Sequence, residues 1–153
     1  MASVFHKLNL KDQREIVVLD APDSFEREIK ALTGVTTRRK LSEVKSADFV
    51  RAFGTRQKQI DSFAKAVARK TAGDAVVWFA YPKGSSKRYT CEFNRDTGWA
   101  SLGAAGFEPV RQVAIDEDWS ALRFRRVEHI KTLTRSKLDA ISKEGKRRTK
   151  GKA

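Results

Sequence analysis

Two spacings of hydrophobic residues alternate along this chain of 153 residues, one suited to strands and one to helices. Ile16 to Leu19 is an unbroken apolar run rich in β-branched residues, which predicts a strand buried on both faces of a sheet. A helix is expected directly after it. Asp23, with Glu26 three residues on, resembles a capping box; Phe25, Ile29 and Leu32 share one face, and Gly34 supplies a stop. Val35-Thr36-Thr37 carries a short strand signal, and Phe49 to Phe53 reads as a third strand closed by Gly54. From about Arg56 to Thr71, Ile60, Phe63, Ala64, Val67 and Ala68 form one apolar stripe opposite Arg56, Lys58, Asp61, Lys65 and Arg69. That long helix ends at Gly73. Ala75 to Ala80 is the most hydrophobic stretch and predicts a central strand. A short helix around Thr97 to Ala105 follows, capped by Asp96, with Trp99 and Leu102 toward the core and Gly106 at its end. Pro109 to Ile115 and Ala121 to Val127 read as two strands, and their short link makes them antiparallel neighbours.

This order predicts an α/β, Rossmann-like three-layer domain: a mostly parallel sheet with an antiparallel C-terminal hairpin strand. The length suits one domain, assigned to residues 1–130, followed by a basic tail over 131–153 that is largely disordered or partly helical. No apolar run approaches the ~20 residues that cross a bilayer. Residues 1–7 lack the apolar core of a secretory signal, so a cytoplasmic protein without membrane contact is expected. Cys91 stands alone, and with His6 and His129 as the histidines no metal site is expected.

Charge changes the picture at one end. The net charge is +13, and residues 131–153 carry nine Lys or Arg against Asp139 and Glu144. Lys143, Lys146, Arg147, Arg148, Lys150 and Lys152 lie in a stretch with no apolar residue to pack. Such a segment either keeps the protein soluble or condenses on nucleic acid and other polyanions by displacing counterions, without reading sequence.

The segment from Asp48 through Arg125 resembles the back half of a class I, S-adenosylmethionine-dependent methyltransferase fold. The resemblance rests on a strand beginning Ala47-Asp48-Phe49, a long helix, a strand introduced by Gly73-Asp74, a helix ending in Ala105-Gly106-Phe107, and a terminal hairpin. Three stretches are similar to a bacterial family catalogued only as a domain of unknown function. They are Leu8 to Lys11 with Val17 to Pro22, then Val77 to Lys83, then Val113 to Phe124. That family brings no established activity to carry over.

The methyltransferase resemblance implies S-adenosylmethionine as cofactor, held by a glycine-rich turn after the first strand and an acid after the second. Both features are altered. Asp20-Ala21-Pro22 stands in place of the glycines, and Pro22 removes an N–H donor. Arg38-Arg39-Lys40 follows the second strand, a candidate polyanion patch where an acid is expected; Glu43 is the nearest carboxylate. The loop from Tyr81 through Lys83, Gly84, Ser85 and Ser86 is a second candidate. It reads either as an anion nest or as a flexible turn with solvated lysines, and it lacks the spaced glycines of a Walker loop. Asp116-Glu117-Asp118 beside Trp119 offers three carboxylates. Consecutive hairpin positions point in different directions, so the acids are expected to face solvent or pair with Arg111, Arg123 or Arg125. No catalytic residue can be assembled from spacing.

Three readings follow. The preferred one is a non-catalytic methyltransferase-like binding or regulatory module whose basic tail contacts polyanions. The second is a divergent small transferase that holds S-adenosylmethionine or a nucleotide between the Asp20 to Ser24 and Tyr81 to Ser86 loops. The third is a structural module that docks a protein partner.

Overall fold

The computed structural model describes Leu10, residues 13–87, 89–91, Phe93 and residues 98–129. Its strands are β1 (Glu15–Leu19), β2 (Thr36–Arg38), β3 (Phe49–Phe53), β4 (Val76–Pro82), β5 (Phe107–Ala114) and β6 (Trp119–Arg126). They form a six-stranded sheet in the order β2-β1-β3-β4-β6-β5. The first four pair in parallel, and β6 lies antiparallel between β4 and β5. The helices are α1 (Asp23–Lys30), α2 (Gln57–Lys70) and α3 (Ala100–Ala104), with 3-10 turns at Leu41–Glu43 and Val127–His129. The Rossmann-like α/β architecture expected from the hydrophobic pattern is the one observed.

The elements differ from expectation mainly at their ends. Pro22 occupies the N-cap position of α1 without a side-chain cap, so the Asp23/Glu26 capping box does not form; Glu26 holds Arg39 instead. α3 is shorter than expected and starts after Trp99, while Asp96 lies outside the described residues. β5 starts earlier, at Phe107, and carries a register shift between Pro109 and Arg111, where proline has no N–H to give the ladder. The positive φ of 58° at Gly73 and 93° at Gly106 fits their roles as stops.

Each sheet face has its own core. On one, Val17, Leu19, Val50, Ala52, Val77, Phe79 and Tyr81 pack under the Ile60, Ala64 and Val67 stripe of α2 and Leu102 of α3. The Trp99 ring closes that layer, with ring centres 5.0 Å from Phe93, 5.3 Å from Phe124 and 5.8 Å from Tyr81. On the other face, Phe25 and Ile29 of α1 cover Ile16, Val18, Phe49, Phe53, Val76 and Trp78. Each fully buried large apolar side chain is worth roughly 1.5–3 kcal/mol.

Arg51 interrupts the second core. It sits in the middle of β3 with 0% exposure, and its Nε, Nη1 and Nη2 have no hydrogen-bond partner. Three rings surround its guanidinium: Phe53 at 5.0 Å, Phe25 at 5.5 Å and Trp78 at 5.9 Å. Cation–π attraction recovers about 2 kcal/mol for a desolvated contact, but desolvating a charge costs several kcal/mol and leaves five donors unmet. Burial pushes the Arg51 pKa down to about 9.

Arg51→Met keeps the volume and removes the charge. We expect the variant to be more stable than the natural chain by about 1–4 kcal/mol in urea unfolding at pH 7. The folded pKa of Arg51 lies below that of the unfolded chain, so its cost is fully present below pH about 9 and recedes as pH rises above that value. The stability gap between variant and natural chain should therefore narrow above pH about 9, and a gap that widens there would show that burial of this charge is not the cause.

Candidate functional site

The chain runs from β1 outward to β2 and then returns to the opposite side of β1 as β3. This reversal opens a crevice between the carboxyl ends of β1 and β3, the usual ligand position in an open α/β sheet. One wall is the β1–α1 turn. Asp20 has φ of 56°, the left-handed conformation that costs a non-glycine residue about 1 kcal/mol or more and that collects at functional positions. Ala21 and Pro22 follow, and Pro22 offers no N–H at the start of α1.

The other wall is Gly54-Thr55. The Gly54 N–H donates to the Ala80 carbonyl at 3.0 Å, and a Cβ on Gly54 would lie 2.7 Å from Ile60 Cδ1. Glycine thus lets α2 begin hard against the strand end. From its first turn, Gln59 spans the crevice: Nε2 donates to Asp20 Oδ2 at 2.7 Å, and Oε1 accepts the Thr55 N–H at 3.1 Å. The carboxamide occupies one acceptor on Asp20 and the Thr55 N–H donor. Beside it, Gln57 Nε2 donates to the Gly98 carbonyl at 2.8 Å and to Asp61 Oδ1 at 2.9 Å, tying α2 to the approach of α3.

At the end of β2 the basic cluster is matched to acids. Arg38 Nε meets Glu15 Oε2 at 3.0 Å, and Arg39 grips both carboxylate oxygens of Glu26 at 2.8 Å. Lys40 makes no ion pair among the described residues. Glu43 is engaged locally, since its Oε1 accepts the N–H groups of Arg39 at 3.1 Å and Lys40 at 3.0 Å. These contacts are exposed to solvent, where each ion pair contributes about 0–1 kcal/mol.

The two loops at the far end of β4 come together. Lys83 N–H donates to the Asp118 carbonyl at 2.8 Å, and Ser86 Oγ donates to Asp118 Oδ1 at 2.9 Å while accepting the Tyr89 N–H at 3.2 Å. The Ser86 N–H is also spent, on the Lys83 carbonyl at 3.0 Å. Gly84 and Ser85 remain exposed, and the Tyr81 hydroxyl accepts from Gln112 Nε2 at 2.9 Å. A carboxylate at the mouth of this loop opposes an incoming anion. In the hairpin, Asp116 Oδ1 accepts the Asp118 and Trp119 N–H groups, both at 2.8 Å, and shapes the turn. Trp119 anchors it in the core against Tyr89 and Phe53. Arg125 pairs with Asp74, not with a hairpin acid, at 2.9 and 2.7 Å. Its hydrogen bonds hold the Asp74 carboxyl below the usual carboxylate range.

Sequence reasoning missed Gln59 and Gln57, whose contacts reach 39 and 41 residues along the chain. The available signal was a pair of glutamines in the first turn of the helix that follows a strand ending in glycine. The tail residues Lys143, Lys146, Arg147, Arg148, Lys150 and Lys152 lie outside the described residues, as does Arg88. No described helix is long and apolar enough to cross a membrane. Among the described residues no three His, Cys, Asp or Glu side chains gather where a metal ion could sit.

No family model matches the chain, and no curated protein matches it in sequence. Solved structures do resemble it. A SAM-dependent methyltransferase from Aquifex aeolicus is similar with a TM-score of 0.55 and 13% identity, covering 81% of this chain and 88% of its own. The N-methyltransferase NodS from Bradyrhizobium japonicum gives 0.50 at 13% identity, over 80% of this chain and 92% of its own. The Methanococcus jannaschii fibrillarin pre-rRNA processing protein gives 0.50 at 12% identity, over 76% and 67% respectively. At these identities the likeness establishes a methyltransferase-like fold.

Proposed function

We propose that this chain is a methyltransferase-like binding or regulatory module that performs no methyl transfer and contacts polyanions through its basic tail. The observation that carries it is the Gln59 carboxamide lodged between Asp20 and Thr55, across the crevice where this fold class takes its ligand. Pro22 at the head of α1 and the pairing of Glu26 with Arg39 support it, because neither leaves a free group of the kind a ribose or carboxylate would seek.

A second reading, a divergent small transferase, is favoured by the left-handed Asp20. Local strain of that kind persists where the surrounding structure has a use for it. Solved proteins of the same fold include S-adenosylmethionine-dependent enzymes.

Titration calorimetry separates the two. No saturable heat is expected with S-adenosylmethionine up to about 1 mM; a dissociation constant below about 0.1 mM would establish a working cofactor site and remove the module reading. Binding that appears only in Gln59→Ala would identify the glutamine as the plug. For the tail, replacing Lys146, Arg147, Arg148 and Lys150 by glutamine should weaken duplex DNA binding in fluorescence anisotropy. The log–log salt slope should fall by about 0.9 for each phosphate that the variant no longer neutralises, and an unchanged slope rules the tail out.

A further inference from the structure

We propose that Arg111 and Arg123 bind a phosphate group on the face of the sheet, away from the strand-end crevice, with Arg51 as the buried end of the same row. Val18, Arg51, Trp78, Arg123 and Arg111 are successive register partners across β1, β3, β4, β6 and β5. Paired residues point to the same side of a sheet, so three guanidinium groups share one face with a single tryptophan between them. Like charges directly opposite on neighbouring strands repel, as Arg111 and Arg123 must.

Among the described residues, Asp74 and Glu108 are the carboxylates beside Arg125. Asp74 is held at 2.9 and 2.7 Å by Arg125, and Glu108 stands opposite Arg125 in register. Arg111 makes no ion pair among the described residues, and Arg123 Nε is buried with no hydrogen-bond partner. The orphaned nitrogens of Arg51 lie further along the row, closed from solvent behind Trp78. They add positive field without touching a ligand.

Access follows from exposure. Arg111 is exposed on the edge strand and Arg123 is half-buried, so an anion can enter from the β5 side and meet both. Two guanidinium forks ask for two negative charges and several acceptor oxygens. A phosphate ester or pyrophosphate supplies both, whereas one carboxylate neutralises one fork.

The test is a thermal shift of the full chain with inorganic phosphate, pyrophosphate and acetate at matched ionic strength. Pyrophosphate at about 10 mM should raise the melting temperature by a few degrees, and acetate should not. The double variant Arg111→Gln, Arg123→Gln should melt higher than the natural chain in phosphate-free buffer, because the repulsion is gone, and should lose the shift. Arg123→Lys keeps the charge but loses the fork, and its preference for phosphate over acetate should fall. Adenosine monophosphate and glycerol phosphate distinguish sources: tighter binding of the nucleotide identifies a nucleotide ligand, and equal binding identifies the phosphate group alone. No shift in the natural chain, an equal shift with acetate, or an undiminished shift in the double glutamine variant would each overturn the proposal. The last would place the binding on other cations, such as the tail.

Discussion

Strand β3 is buried along its whole length and hydrogen-bonded on both sides to parallel strands, so each of its side chains must be covered by a packed layer. The rest of the molecule meets that demand. α2 rises directly from β3 and lays Ile60, Ala64 and Val67 over Val50 and Ala52, while α1 brings Phe25 and Ile29 to Phe49 and Phe53 on the other face. Alternation along five residues leaves the middle position on the α1 face, and there the chain carries Arg51. Three aromatic rings around the guanidinium are what this fold supplies in place of an anion. They soften the desolvation without meeting the donors.

The same strand fixes the crevice. Because β3 lies on the opposite side of β1 from β2, its end and the end of β1 stand side by side, and whatever fills the gap must come from the next element. That element is the first turn of α2, brought close by Gly54. A glutamine suits the gap because its carboxamide gives a donor to Asp20 and an acceptor to Thr55 at once. A glutamate there would face the Asp20 carboxylate, and an alanine would leave both groups to water.

What the sequence made legible was local. Apolar runs or alternation marked five of the six strands, β2 showing only the short Val35-Thr36-Thr37 signal, and the 3.6-residue stripe marked α2, because each pattern is set by neighbours a few positions away. Helix ends were less legible: Asp23 and Glu26 had the spacing of a capping box, but a stronger partner, Arg39, claimed Glu26 from across the β2 turn. The bond between Ser86 and Asp118 was hidden for a similar reason, since two loops far apart in sequence meet only once β4 and β6 pair. Arg51 left a sign that could have been read. A single arginine at the centre of Phe49-Val50-Arg51-Ala52-Phe53, in a strand that must be interior, has nowhere to go but inward.

Formal charge is a poor guide to where an anion is held. Arg38 and Arg39 belong to a dense basic run, but in the fold they face Glu15 and Glu26, and the local charge is close to balanced. Those pairs are solvent-exposed and cheap to open, so a polyanion arriving with many phosphates can still recruit them at a cost of about 1 kcal/mol or less each. Arg123 is in the opposite situation. Burial and the neighbouring Arg125 and Arg111 all oppose its charge, while Asp74, which acts in its favour, is already committed to Arg125. An anion delivered to that row would relieve repulsion that the folded chain carries in its absence, and this distinguishes a site from a merely basic surface.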